Sequence, residues 1–135
     1  TAKLLFIGDG EEIRALICLA KQLGIYDDIL FLGERFDTEN YYNTMDVFCL
    51  PSLNEGLGLV LIEAQSCGVP CVVSDFVPKE SDITNTTKFL NFQNFDNWCD
   101  AMLNPPKPQN PKKAVIKNGY DIKNQGEKMA DFFRE

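Results

Sequence analysis

The 135-residue chain is predicted to be an α/β domain, with a mostly parallel sheet between two layers of helices. Short apolar runs alternate with segments of helical spacing, and the connections between them are short. Glycine or proline punctuates nearly every change of period. Such alternation calls for right-handed crossovers, and ligands of such sheets bind beyond the carboxyl ends of the strands.

Residues 3–7 form the first apolar run, closing on Gly8-Asp9-Gly10. In residues 11–23, Ile13, Leu16, Ile17 and Ala20 recur at helical spacing and Gly24 stops the helix. Residues 29–32 read as a second strand, 38–44 as a short helix and 47–50 as a third strand. A helix from about Gly58 to Cys67 ends at Gly68, before a fourth strand over 69–74. The turns at 8–10, 33–35, 51–58 and 75–80 then fall on the carboxyl edge. Residues 88–91 give a last short strand, and 96–103 a helix carrying Trp98, Ala101 and Met102. The expected organisation is an α/β domain over 1–104, a proline-rich linker over 105–111 and a helical segment over 112–135.

The totals exclude several functions. Thirteen basic against 20 acidic residues give −7 with no basic block, so nucleic acid is not an expected partner. Any bound phosphate must be held by local dipoles. No apolar run approaches the roughly 20 residues that span a bilayer, and a strand begins almost at once where a signal peptide would stand. The five cysteines, Cys18, Cys49, Cys67, Cys71 and Cys99, lie in apolar segments and read as reduced, with Cys67 and Cys71 in the core. With no histidine, no Ser-His-Asp or Cys-His nucleophile can be assembled from this chain alone, and a zinc site is not expected, since Cys67 and Cys71 straddle a helix stop and a strand.

The chemistry concentrates in 51–64, where Glu55 and Glu63 stand eight residues apart around a glycine-rich turn leading into an apolar helix. Pro51, Gly56 and Gly58 place Glu55 on a loop, and Glu63 falls within the first two turns of the helix. A helix start presents unpaired N–H groups and partial positive charge to a diphosphate, while flanking carboxylates accept from sugar hydroxyls. Gly8-Asp9-Gly10 lacks the third glycine of a dinucleotide fingerprint, and the neighbouring acids would repel a pyrophosphate.

This spacing resembles the Glu-x7-Glu signature of retaining glycosyltransferases of the GT-B fold, in particular the C-terminal donor-binding domain of the glycosyl transferases group 1 family. The resemblance runs from Leu4-Leu5-Phe6-Ile7-Gly8-Asp9-Gly10 through Phe31-Leu32-Gly33 and Asp46-Val47-Phe48-Cys49-Leu50-Pro51-Ser52 to the block from Glu63 to Ser74. It implies a Rossmann-like three-layer domain, one half of a GT-B fold. The family's first strand and helix, with an arginine and a lysine that neutralise the diphosphate, are missing from this chain. An N-terminal acceptor-binding domain would complete a protein of roughly 350 residues. By the same resemblance Glu55 contacts the transferred sugar and is the catalytic candidate. Glu63 holds the ribose, the backbone around Gly58, Leu59 and Val60 faces the phosphates, and Gly56 and Leu57 are further donor-binding residues. Gly8 and Asp9 border the donor, while Gly33 and Arg35 line the nucleobase.

The substrate implied is a nucleotide-sugar, with no metal or other cofactor expected. The acceptor is a sugar or lipid-linked glycan held by the missing domain, in the cytoplasm or peripheral at the inner membrane face. Val77-Pro78-Lys79-Glu80 followed by Ile83-Thr84 is similar to bacterial enzymes of capsular or exopolysaccharide assembly. Phe76-Val77-Pro78-Lys79 replaces a glycine-containing loop of many relatives, so no sugar contact is carried over to Lys79 or Glu80. A sugar-nucleotide epimerase or hydrolase of the same fold, or a non-catalytic interaction module, are the alternatives.

Overall fold

A computed structural model describes residues 2–107 and 110–134. Thr1 and Glu135 lie outside the described residues, as do Pro108 and Gln109 of the expected linker. The chain divides into two compact units, one up to Thr38 and one from Glu39 onward.

In the first unit, β1 (Leu4–Ile7) leads through α1 (Ile13–Gln22) and a 3-10 turn at Tyr26–Asp28 to β2 (Ile29–Gly33). The strands are parallel, with Leu4 opposite Ile29 and Phe6 opposite Phe31; a shift in register then brings Ile7 opposite Gly33. Strand alternation sends Leu4, Phe6, Ile29 and Phe31 toward α1, where they share an apolar cavity of about 120 Å³ with Leu16 and Ala20. Lys3 pairs with Asp28 at 2.6 Å beside the strand starts, but both groups are exposed and the pair contributes little.

All but the first residue of α2 (Thr38–Tyr42) belong to the second unit, and β3 (Phe48–Leu50), α3 (Leu59–Ser66) and β4 (Cys71–Ser74) follow. A 3-10 turn at Lys79–Ser81, β5 (Lys88–Leu90), α4 (Phe95–Leu103), α5 (Pro111–Lys117) and α6 (Ile122–Phe132) complete it. Its sheet is parallel in the order β3-β4-β5. All four residues of the central β4 are buried, as a parallel strand covered on both faces requires. Cys71 and Val73 pack with Tyr42, Leu61, Ala64, Val69 and Val77 on one face, and Val72 packs with Trp98 and Ala101 on the other. Helices therefore cover both faces of this sheet. The Trp98 indole N–H is satisfied by the Asn91 carbonyl at 3.1 Å.

The α/β class and parallel pairing are those expected. The described ladder is nevertheless two sheets, β1-β2 and β3-β4-β5, where one was expected. Apolar periodicity locates strands but does not say which of them pair. Of the two cysteines expected in the core, Cys71 is buried and Cys67 is half-buried against it; Cys49 is half-buried, and Cys18 and Cys99 are exposed. Cys18 and Cys99 lie on helices whose buried stripe is narrower than the apolar run that contains them. On α4, Met102 faces solvent for the same reason, although Trp98 and Ala101 are buried. Burial pushes the thiols of Cys71 up to about 12 and Cys49 up to about 11, which keeps both protonated at neutral pH.

The closing segment forms two helices, α5 and α6. Pro111 stands at the start of α5, where its missing N–H is harmless, and the Asn118 side-chain amide donates to the Ile83 carbonyl at 3.3 Å. Ile122, Met129, Phe132 and Phe133 of the α6 region are exposed. Among the described residues, no helix is long and apolar enough to cross a membrane.

Candidate functional site

The loop 51–58 leaves the carboxyl end of β3 and delivers the chain to α3. Two buried serines pin it: the Ser74 hydroxyl donates to the Ser52 carbonyl, and the Ser81 hydroxyl to the Leu57 carbonyl. Ser52 in turn donates to the Asn54 carbonyl at 3.0 Å. Loop carbonyls that would otherwise need water are thus satisfied from beneath, and Glu55 sits half-buried between the two anchors.

Gly58 supplies the turn into the helix at φ +67°, a left-handed angle that disfavours a side chain. An added Cβ there would lie 3.3 Å from Ser81 Oγ, 3.5 Å from Glu55 Cγ and 3.6 Å from Val77 Cγ1. Gly58 is also the N-cap of α3, and no side chain caps that terminus. The Gly58 carbonyl accepts from Leu61 N at 2.9 Å and Ile62 N at 3.3 Å. The N–H groups of Leu59 and Val60 precede the first intrahelical donors and are suited to an anion.

Beneath α3, Gln65 is 1% exposed and meets four groups. Its amide nitrogen donates to the Leu61 carbonyl at 3.1 Å and the Ser81 carbonyl at 2.7 Å; its oxygen accepts from Thr84 N at 3.1 Å and Thr84 Oγ1 at 2.9 Å. This ties the helix to the turn that presents Ser81. The segment 75–80, which carries the departure from the family pattern, supports the loop from below, since Val77 enters the core and the 3-10 turn orients Ser81 inward.

Glu63 projects from α3 with its carboxylate accessible, and its Oε2 accepts from the Tyr42 hydroxyl at 3.1 Å. Tyr42 is 5% exposed and meets Phe48 edge-on at 5.7 Å. Burial first, then the Glu63 charge, hold the Tyr42 hydroxyl well above the ordinary tyrosine range, so it remains a donor.

In the first unit the expected residues gather at the carboxyl ends of β1 and β2. Gly8 N donates to the Gly33 carbonyl at 2.9 Å, and Asp9 turns back to accept from Gly10 N at 2.8 Å. Gly33 has φ +67°, and Arg35 follows on the exposed turn. Each unit thus places its own expected residues on one edge of its sheet. Tyr42, Gln65, Ser74 and Ser81 were not expected. The only trace they leave in the sequence is polarity within apolar runs, most visibly Gln65 in α3 and Ser74 at the end of β4.

A profile of the family described as Glycosyl transferases group 1 matches residues 1–120. The chain belongs to that family. Among its relatives, an Escherichia coli enzyme named UDP-Gal:alpha-D-GlcNAc-diphosphoundecaprenol alpha-1,3-galactosyltransferase is 28% identical over 137 residues, covering 94% of this chain and 35% of the relative. The Vi polysaccharide biosynthesis protein VipC/TviE of Salmonella typhi is 43% identical over 70 residues, 52% of this chain and 12% of that protein. The structure of Anabaena HepE in complex with UDP aligns over 98% of this chain and 41% of that one, with a TM-score of 0.73 at 18% identity. The GT-B architecture is therefore shared. The group 1 domain spans about a third of the length of several curated relatives it matches.

Proposed function

We propose that this domain binds the nucleotide-sugar donor of a group 1 glycosyltransferase acting in surface polysaccharide assembly, with retention and without a metal. The observation that carries the reading is the start of α3, where a left-handed glycine opens an uncapped helix between a pinned Glu55 and an accessible Glu63. Relatives named for UDP-Gal transfer and for Vi polysaccharide biosynthesis support the substrate class, as does UDP bound to a protein of the same fold.

In this reading the diphosphate lies against the N–H groups of Leu59 and Val60, Glu63 accepts from the ribose hydroxyls, and Glu55 accepts from the transferred sugar. The bond between the anomeric carbon and the diphosphate oxygen breaks, and the acceptor oxygen attacks from the face the diphosphate leaves. The acceptor hydroxyl gives its proton to the departing phosphate. Negative charge grows on that phosphate, and preorganised N–H dipoles stabilise it more in the transition state than in the ground state. Basic side chains and the acceptor site come from the rest of the full-length enzyme.

The test is calorimetry with UDP and initial rates in the full-length enzyme. Glu63→Gln should weaken UDP binding by about 1 to 3 kcal/mol, the value of a charge-assisted hydrogen bond. Glu55→Gln should spare UDP affinity and lower turnover, because sugar contacts orient the anomeric carbon. The opposite pattern would overturn the assignment of roles. Activity should also survive EDTA; loss that manganese restores would refute metal independence.

A further inference from the structure

We infer that Tyr42 is a positioning residue for the nucleoside: it fixes the Glu63 carboxylate so that the remaining lone pairs meet the vicinal diol of a ribonucleoside diphosphate. The inference rests on the proposed role of Glu63 and adds the residue through which that role is exerted.

An exposed glutamate on a helix samples many rotamers in water, and a ligand that needs one of them bears the ordering entropy. Here the ordering is supplied beforehand. Tyr42 lies 21 positions away in sequence and belongs to α2, so the contact is tertiary. Its ring is held edge-on by Phe48 and packed in the cluster with Leu61, Ala64 and Val73. A tyrosine side chain has only two free torsions, and burial holds both. The hydroxyl hydrogen therefore points from a fixed place, and it reaches Glu63 Oε2 at 3.1 Å. A carboxylate has about four acceptor positions, so one donor orients its plane without exhausting it. Oε1 and the second lone pair of Oε2 remain for the two hydroxyls of a diol, which must approach together. A 2′-deoxynucleotide offers one hydroxyl fewer and gains less from the alignment.

Tyr42→Phe retains the ring and its packing and removes only the donor. In the full-length enzyme, calorimetry with UDP and 2′-deoxy-UDP is compared for wild type, Tyr42→Phe, Glu63→Gln and the double variant, with thermal melts to verify folding. Tyr42→Phe should weaken UDP about three- to tenfold, leave 2′-deoxy-UDP within about twofold, and raise KM for the donor with little change in kcat. The double variant should bind UDP no more weakly than Glu63→Gln. Equal losses for UDP and 2′-deoxy-UDP, or additive losses in the double variant, would overturn the inference. So would wild-type UDP affinity in Tyr42→Phe while Glu63→Gln is impaired, which would reduce the hydroxyl to a packing contact. If Glu63→Gln itself leaves UDP affinity intact, the role given to Glu63 fails, and the inference fails with it.

Discussion

Gly33 and Gly58 adopt the same backbone angle, φ +67°, in different surroundings. At Gly33, the end of β2, an added Cβ would meet no atom within 4 Å. At Gly58 it would meet Ser81, Glu55 and Val77. The first turn is shaped by backbone conformation and a main-chain bond from Gly8, and the second by buried side chains packed around it. An identical torsion thus says little about how much of the protein depends on it. The difference lies in whether the surroundings can yield.

Gln65→Leu should show the largest effect. It keeps the volume but leaves the Thr84 N–H without its acceptor and takes the second donor from the Leu61 and Ser81 carbonyls, the latter keeping its bond from Ile83 N at 3.1 Å, so about 3 kcal/mol of stability should be lost. Thermal unfolding of the full-length enzyme measures this, and a loss below about 1 kcal/mol would mean that water replaces the amide and the loop is less rigidly held than described. Gly58→Ala comes next, at about 2 to 3 kcal/mol, with strain and a Cβ 3.3 Å from Ser81 Oγ acting together. It should also weaken UDP, because displacing Ser81 shifts the start of α3. Gly33→Ala should cost the strain alone, about 1 to 2 kcal/mol, with UDP affinity changed less than in Gly58→Ala. Equal costs at the two glycines, or a larger loss of UDP affinity at Gly33, would dissolve the contrast.

Most of the frame was legible in the sequence because it is local. Ile13, Leu16, Ile17 and Ala20 announce α1 by spacing, and the buried run of β4 announces a central parallel strand. Proline and glycine put Glu55 on a loop and Glu63 on a helix, and both are found there. The fixings of the site were illegible because they join distant residues. Ser81 reaches Leu57 across 24 positions, Tyr42 reaches Glu63 across 21 and Gln65 reaches Ser81 across 16. No period of 2 or 3.6 encodes such pairs. The division of the strands into two sheets was hidden for the same reason, since pairing is a long-range property.

The serine anchors also bear on how such a loop can be transplanted. Residues 51–58 look like a self-contained cassette that could be exchanged between relatives. Their shape, however, is stored in Ser74, Ser81 and Gln65, all outside the cassette. A graft that carries Glu55 without those three would deliver the right residues on an unsupported backbone. The portable unit is therefore the whole segment from Pro51 to Thr84, in which helix, strand and clamp travel together.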